Sequence, residues 1–213
     1  MTWFLRNWDQ VAVALWQHVV ISVTSLAIAF AISRVVGIWA ARHDRVLRWA
    51  LAVSGVLYTI PTLAFLALLI PLVGLGRVNA IICMVAFSLM ILVRNVAVGI
   101  REVPPEVVDA ARGMGMSRGE ILRRIELPLA LPVILTGIRV VLVQNIGMVT
   151  IAALIGGGGL GTFVFQGIGQ TAIDLVLLGA IPIVGLAFSA AVLLDSLVEV
   201  LDRKWPASAR TVP

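Results

Sequence analysis

The chain has 213 residues, of which 61% are hydrophobic and 13% are charged, and its mean hydropathy is +1.08. Because a soluble domain averages about 25% charged residues, this composition excludes a soluble globular protein and predicts one all-α, polytopic membrane domain over residues 1–213. The net charge of +5 comes almost entirely from arginines that follow the predicted membrane topology, so we expect a lipid membrane and no nucleic acid as partner.

Five apolar stretches are each long enough to cross about 30 Å of hydrocarbon as a helix. An amphipathic segment with three tryptophans, Met1–Gln17, precedes them, and no signal peptide is evident in it. It is either an interfacial helix or a plain leader into the first span. The five predicted transmembrane helices cover residues 18–40, 49–72, 78–100, 131–155 and 172–201.

The second span contains a proline near its middle. A basic loop with Arg42, Arg45 and Arg48 joins it to the first span. Pro61 removes a backbone hydrogen bond, and membrane helices tolerate this where the freed groups face protein or a water-filled cavity. The sequence Tyr58-Thr59-Ile60-Pro61-Thr62 therefore predicts either a bend that lines a translocation pathway or a simple packing kink.

Polar residues recur inside the third and fourth spans, where they are costly and usually face the interior of a helix bundle. For any one of them, a hydrogen bond between helices is the simpler explanation. Together with Tyr58, Thr59 and Pro61, the candidates for the translocation pathway are Ser88, Asn95, Gln144, Asn145 and Thr150.

One long polar segment, residues 101–130, interrupts the apolar chain between the third and fourth spans. Pro104 and Pro105 suit the first turn of a helix, where a missing N–H costs nothing. Glu106 and Asp109 then lie near the positive end of the helix dipole. Gly113 and Gly115 predict the end of this helix in a tight turn.

A second short helix is predicted to follow the glycine turn. Ser117 and Glu120 have the S-x-x-E spacing of a capping box, and Ile121 and Ile125 share one face. Pro128 predicts the end of this helix. The apolar face cannot be buried in lipid from a loop, so we expect it to pack on the ends of the chain's own helices or on a partner.

This segment resembles the cytoplasmic coupling loop, or EAA loop, of ABC-importer permeases. The family pattern is Glu-Ala-Ala, three residues, Gly, nine residues, then Ile-x-Leu-Pro. Asp109-Ala110-Ala111, Gly115 and Ile125-Glu126-Leu127-Pro128 match its spacing, with Asp in place of the usual Glu. The resemblance implies a role in contacting an ATPase for Glu106, Asp109, Ala110, Ala111, Gly115, Ile121, Ile125, Leu127 and Pro128.

The fourth span ends in a run that no lipid-facing helix would tolerate, Gly156-Gly157-Gly158-Gly159-Leu160-Gly161. The run matches the G-x-G-x-x-G pattern of a dinucleotide-binding motif, but that motif must follow a strand. It also has the glycine spacing of a Walker-A loop, with Thr162 where the lysine should be. Both nucleotide interpretations fail, which leaves an outer gate loop that allows close backbone packing, or a flexible loop. Residues 162–171 are either a short helix or a re-entrant piece.

Two charged residues lie deep in the last two spans. Arg139 is about eight residues into the fourth span and Asp195 about eight residues before Arg203, so at about 1.5 Å per residue both lie about 12 Å inside one membrane face. An unpaired charge at that depth is unfavourable. We therefore predict an intramembrane ion pair between Arg139 and Asp195, with Glu199 as the alternative partner.

Basic residues also predict the orientation of the chain. With five spans, one side of the membrane receives eleven arginines and lysines, whereas the other receives Arg6 and Arg77. The positive-inside rule then places the coupling loop and the C-terminus in the cytoplasm and the N-terminus outside.

Enzymatic chemistry is not predicted for this chain. His18 and His43 fall on opposite sides of the membrane, and neither has partners at metal-ligand spacing. Cys83, the only cysteine, lies in an apolar run and is interpreted as a small core residue. No serine lies in a nucleophile elbow. We therefore expect no catalytic residue, metal or cofactor on the chain itself.

Three stretches, residues 59–64, 110–116 and 152–161, further resemble the permeases for glycine betaine, carnitine and choline. The resemblance implies a type I importer in the bacterial cytoplasmic membrane. Its other parts are a second permease chain, identical or paralogous, a cytoplasmic ABC ATPase dimer that holds ATP and Mg, and an extracytoplasmic substrate-binding protein. The alternatives are an importer for an amino acid or an oxyanion, an ATP-independent transporter or channel, and a structural scaffold.

Overall fold

The computed structural model describes residues 8–204, with side chains described through residue 200. Within these residues the chain is helical and has no strand, so the all-α prediction is confirmed. The start of the predicted amphipathic segment and the basic tail beyond residue 204 lie outside the described residues. The elements are α1 (Trp8–Arg42), α2 (Asp44–Thr59), α3 (Thr62–Val73), α4 (Arg77–Arg101), α5 (Pro105–Gly113), α6 (Arg118–Ile121), a π-helical segment (Leu122–Glu126), α7 (Leu127–Ala152), a 3-10 turn (Ala153–Ile155), α8 (Gly161–Gly169) and α9 (Ile173–Lys204).

The described residues contain four or five membrane-spanning stretches, depending on how the second predicted span is counted. Four helical stretches are long and apolar enough to cross a membrane: Trp8–Arg42, Arg77–Arg101, Arg118–Ile155 and Ile173–Val200. The predicted second span is divided between α2 and α3, which are bent by 99° and would form the fifth if they act as one broken span.

Pro61 causes this break. Ile60 and Pro61 both have extended backbone, with ψ angles of 127° and 132°, and a residue that precedes proline is disfavoured in the helical region. The Ile60 N–H closes α2 by donating to the Leu57 carbonyl. The feature is therefore sharper than a packing kink, because the helix stops and restarts in a new direction.

Two predicted boundaries are wrong. The basic loop after the first span is reduced to His43, because α2 begins at Asp44, whose carboxylate lies in its first turn and favours the positive end of the helix dipole. Pro128 does not end a helix either. The π-helical segment joins α6 to α7 without a break, so Pro128 lies inside a continuous helical stretch. The Leu127 N–H donates to the Leu122 carbonyl, five residues back, and such a local π-helical adjustment lets a membrane helix tolerate a proline.

A stripe of small side chains brings α1 against α4. Ser22, Ser25, Ala29, Ser33 and Gly37 are all buried and recur every three or four residues, so they share one helix face. Small residues let two backbones approach closely in a membrane. A methyl group added at Gly37 would lie 2.6 Å from the Cβ of Val96 on α4, so α1 and α4 touch here with no space to spare.

Gly37→Ala should therefore destabilise the chain by about 1–3 kcal/mol, the usual cost of overpacking a tight contact. The midpoint of thermal unfolding in detergent would measure this loss. Gly185→Ala in α9 is the matched control, since a methyl group there meets nothing within 4 Å among the described residues. Equal unfolding midpoints for the two variants would contradict the close α1–α4 contact.

The main core lies between α1, α3, α4 and α7. It holds Ile21, Leu66, Met84, Phe87 and Val149, each less than about one-twentieth exposed. One face of α3 therefore packs against the bundle although the chain breaks immediately before it, whereas Leu68 and Leu72 on α3 are exposed. This arrangement places the break between α2 and α3 against α4 and α7.

Candidate functional site

The coupling loop, residues 101–130, folds as two short helices around a glycine turn. Gly115 has a φ of +83°, a conformation that suits glycine, and the Met116 N–H donates to the Ala111 carbonyl at 3.2 Å across the turn. The turn thus separates α5 from α6 over a few residues. The predicted glycine turn is present.

The predicted capping box starts α6. The Ser117 hydroxyl oxygen accepts from the Glu120 N–H, and a Glu120 carboxylate oxygen accepts from the Ser117 N–H at 3.0 Å and from its hydroxyl at 2.8 Å. The hydrogen bond from the Ser117 N–H lowers the pKa of Glu120, and the hydrogen bond from the Ser117 hydroxyl lowers it further by a smaller amount. The box fixes the entry of the chain into α6.

The tip of the coupling loop is exposed, whereas its base is packed. Met114 is 74% exposed, and Ala110 and Gly115 beside it are also exposed. Ala111 and Ile121 are 0% and 2% exposed, so the face that carries Ile121 packs within the chain. Glu106 and Asp109 lie on the exposed side, while Ile125, Leu127 and Pro128 are half-buried at the base.

A buried carboxylate ties the base of the coupling loop to the end of α1. Glu126, in the π-helical segment, is 5% exposed, and its carboxylate accepts from the Arg42 guanidinium at 2.6 Å. A buried charge with an oppositely charged partner avoids the high cost of burying a charge alone. The pair joins residues 84 positions apart, so it links the base of the coupling loop directly to the end of α1.

Arg101, at the end of α4, reinforces the same corner. Its guanidinium donates to the carbonyls of Ala40 and Ala41 at 2.9 and 3.0 Å and lies 2.8 Å from an Asp44 carboxylate oxygen. A cation is favourable at the carbonyl end of a helix. The ends of α1 and α4 and the start of α2 therefore meet beside the coupling loop.

Four of the pathway candidates line one cavity of about 360 Å³ at the break between α2 and α3. Tyr58, Thr59 and Pro61 border it from the break, and Gln144 borders it from α7. Phe87 and Met148 complete the wall together with Ile60 and Thr62. The structure thus brings together residues that are separated in sequence by more than 80 positions.

The other pathway candidates are placed differently. Ser88 and Asn145 are fully buried, and the Ser88 hydroxyl lies 3.3 Å from the Asn145 side-chain oxygen, between α4 and α7. Asn95 is half-buried against Gly137 and donates to the Ile91 carbonyl. Thr150 is half-buried near the glycine-rich run. None of these four borders the cavity at the break among the residues described for it.

The glycine-rich run is folded rather than extended. Gly156, Gly158 and Gly159 have φ values between +76° and +85°, a backbone conformation that residues with a side chain rarely adopt. A methyl group on Gly157 would lie 2.8 Å from the Ala152 carbonyl oxygen, and one on Gly161 would clash with the Thr150 carbonyl. The glycines here permit close backbone packing.

Two residues that the sequence analysis did not assign hold this glycine-rich run in place. The Gly159 N–H donates to the Gln17 side-chain oxygen at 3.1 Å, and the Leu160 N–H donates to His18 Nδ1 at 3.3 Å. His18 Nε2 lies 2.8 Å from the Ile146 carbonyl, which can only accept, so Nε2 carries the proton. The adjacent Gln17 and His18 at the start of an apolar span were the available signal.

The predicted contact between Arg139 and Asp195 is present. Arg139 Nε lies 2.9 Å from an Asp195 carboxylate oxygen. The Nε–H is not aligned for a hydrogen bond with that oxygen or with another group in the described part of the chain. The contact is therefore an electrostatic pair. Both side chains are partly exposed on the surface of the chain.

Comparison with known proteins assigns the family. Residues 33–205 match the family of binding-protein-dependent transport system inner membrane components. The carnitine transport permease protein OpuCB of Listeria monocytogenes is 36% identical over 99% of this chain and 96% of its own length. The osmoprotectant import permease protein OsmW of Salmonella typhimurium is 36% identical over 95% and 96%. The glycine betaine/carnitine/choline permease protein OpuCB of Bacillus subtilis is 31% identical over 96% and 92%.

Solved structures agree on the fold. A chain of the MetNI methionine ABC transporter in an inward-facing conformation superimposes with a TM-score of 0.81, at 22% identity, over 90% of this chain and 96% of that one. A second crystal form of the same transporter has a TM-score of 0.78. The chain therefore belongs to the family of inner membrane components of binding-protein-dependent transport systems, the permease subunits of ABC importers.

Proposed function

We propose that this chain forms the translocation pathway of an ABC importer for a small quaternary-ammonium osmoprotectant, such as glycine betaine, carnitine, choline or proline betaine. The observation that carries the proposal is that relatives matching nearly the whole chain are named as permeases for carnitine, for glycine betaine, carnitine and choline, or for osmoprotectants. Two permease chains, identical or paralogous, pair in the bacterial cytoplasmic membrane.

ATP hydrolysis belongs to a separate subunit in this proposal. ATP and Mg are held by a cytoplasmic ABC ATPase dimer, and the permease itself carries no cofactor. The exposed tip around Met114 and Gly115 supports docking on that ATPase, because small residues and one long flexible apolar side chain suit a shallow groove. An extracytoplasmic binding protein delivers the solute to the opposite face.

The corner around Glu126 supports a rigid transfer of movement. Because the coupling loop continues through the π-helical segment into α7, a displacement of its tip moves α7 directly. The Arg42–Glu126 pair transmits the same displacement to α1. Since α7 borders the cavity at the break, ATPase closure is coupled to the walls of the pathway.

Transport assays test this function. The purified permease is reconstituted in liposomes with its ATPase and binding protein, and uptake of labelled choline, carnitine and glycine betaine is measured with and without internal ATP. ATP-dependent uptake of at least one of them is expected. Uptake of methionine or an oxyanion instead would assign another substrate class, and equal uptake without ATP would indicate an ATP-independent transporter.

Topology is tested separately by reporter fusions. The excess of basic residues on one side predicts that a reporter after Arg210 is cytoplasmic. A reporter inserted between Gly74 and Arg77, in the connection between α3 and α4, should be extracytoplasmic. Alkaline phosphatase and a fluorescent protein serve as complementary reporters, and the reverse pattern would overturn the orientation.

A further inference from the structure

We infer that the cavity at the break between α2 and α3 is a binding site for the trimethylammonium group of the transported solute. The inference rests on the proposed function and adds to it a place in the permease where the cation is held. The cavity has a volume of about 360 Å³, within the roughly 300–1,000 Å³ typical of small-molecule sites.

Aromatic rings form one side of this cavity. Tyr58, the only tyrosine of the chain, is 39% exposed, and its ring centroid lies 5.8 Å from that of Phe87. Phe65 supports the Phe87 ring from outside the cavity, with centroids 5.6 Å apart. Aromatic rings attract quaternary ammonium groups through cation–π interactions, so the Tyr58–Phe87 pair suits such a ligand.

The broken helix contributes a second feature that favours a cation. α2 ends at Thr59, and the carbonyl end of a helix carries partial negative charge. Because α3 leaves at 99°, no further turn of the same helix covers this end. Broken membrane helices in transporters present carbonyls to cations in the same way.

The lining also distinguishes a quaternary from a primary ammonium group. None of the residues described as lining the cavity is charged, so there is no carboxylate to pair with an N–H donor. A trimethylammonium group has no N–H to donate and is weakly hydrated, so it loses little on entering. A primary ammonium group, such as that of methionine, is more strongly hydrated, and no carboxylate among the residues described for the lining would compensate for the loss of its water.

A larger groove elsewhere is less suited to a cation, because the positively charged Arg45 lies in its lining. It has a volume of about 520 Å³ and is lined mainly by apolar side chains of α1, α2 and α4, with Arg45 and two tryptophans at one end. That composition suits a lipid chain at the membrane interface. The cavity at the break, by contrast, has no charged residue among those described as lining it, and it combines two aromatic rings with the Gln144 amide, which is available to the polar end of the solute.

Uptake by the complete importer tests the rings. With the binding protein saturated with choline, Tyr58→Leu and Phe87→Leu should each slow ATP-dependent choline uptake by about 2- to 30-fold, the range expected for a lost cation–π contact. Tyr58→Phe keeps the ring and should recover most of the uptake that Tyr58→Leu loses. Phe188→Leu removes a ring of α9 that is 69% exposed and is not among the residues that line the cavity, so it should leave uptake nearly unchanged.

A local labelling experiment is independent of transport. Thr59 borders the cavity, and the native Cys83 is buried, so Thr59→Cys adds one accessible thiol. In the assembled importer this thiol should react faster with a trimethylammonium methanethiosulfonate than with a neutral one, relative to their rates with free thiol. Choline should protect it, and adding Tyr58→Leu should remove both effects.

The outcomes separate this inference from the proposed function. If the wild-type importer carries choline, but both leucine variants match it and the Thr59→Cys thiol shows no preference for the cationic reagent, the site is not where we infer it. If the wild-type importer carries no quaternary ammonium compound, the proposed function fails instead. The labelling preference then still decides whether the cavity attracts the cation.

Discussion

Replacing Gly115 with aspartate is expected to reduce transport sharply while leaving the membrane fold intact. A Cβ at this position would meet nothing within 4 Å among the described residues, and aspartate tolerates positive φ better than most residues. Gly115 lies beside Met114, whose side chain is 74% exposed. The new carboxylate therefore acts on whatever docks at the tip, where an unfavourable charge is costly.

The measurement uses the reconstituted importer. Solute uptake and the stimulation of ATP hydrolysis by loaded binding protein should both fall by about tenfold or more, equivalent to about 1.4 kcal/mol or more of lost interaction. Gly115→Asn is the matched control, since it makes the same demand on the backbone without the charge. Gly119→Asp places the same charge on α6, where a Cβ also meets open space, and should have a smaller effect.

Assembly must be established first, by co-purification of the variant with the ATPase. A correctly assembled Gly115→Asp importer with full uptake and normal ATPase stimulation would show that residues 101–130 are only a linker. An equal loss in Gly115→Asn would assign the effect to the backbone conformation rather than to charge at the docking surface.

Removing Arg42 is expected to destabilise the corner that joins the coupling loop to α1. Arg42→Ala leaves the Glu126 carboxylate, which is 5% exposed, without its partner at 2.6 Å. An unsatisfied buried polar group costs about 1–3 kcal/mol, and more when it is charged. We expect a lower midpoint of thermal unfolding, together with ATP hydrolysis that no longer drives uptake efficiently.

Variants of the same pair identify the cause. Glu126→Gln removes the buried charge but keeps a polar group of the same size, so it should cost less than Arg42→Ala. Combining the two substitutions should recover part of the loss, because no carboxylate is then left unpaired. Arg112→Ala is the control for an ion pair as such. Its partnership with Asp109 is exposed on both sides, and exposed pairs contribute only about 0–1 kcal/mol.

The pair would be shown to be unimportant if Arg42→Ala and Arg112→Ala had the same unfolding midpoint and the same ratio of uptake to ATP hydrolysis. A lower midpoint with an unchanged ratio would limit the pair to stability. The predicted result, a change in both quantities for Arg42→Ala alone, would assign it a role in transmitting the movement of the coupling loop.

Local sequence patterns determined much of the secondary structure of this protein. Apolar stretches of membrane length, the capping box of Ser117 and Glu120, and the glycine turn at Gly115 depend on residues that are close in sequence. The contact of Arg139 with Asp195 was also predictable, since two opposite charges at one depth in lipid have few other partners. The family followed from the spacing between Asp109 and Pro128.

Other features depended on which helices meet. A polar residue in an apolar span looks the same in sequence whether it faces a neighbouring helix or a cavity, so Gln144 and Asn145 could not be told apart. Pro128 and Pro61 are both prolines in helical surroundings, but a π-helical turn carries the helix past Pro128, whereas the helix breaks at Pro61. The sequence pattern around each proline does not show whether the helix continues or breaks there.

The contacts that hold the candidate site together join distant parts of the chain. His18 meets Leu160 across 142 positions, and Arg42 meets Glu126 across 84. Composition and periodicity describe one helix at a time, so the sequence determined which segments cross the membrane. Only tertiary packing, through the small-residue stripe of α1 and the 99° break before α3, decided which side chains share the cavity, because packing sets the rotation of each helix against its neighbours.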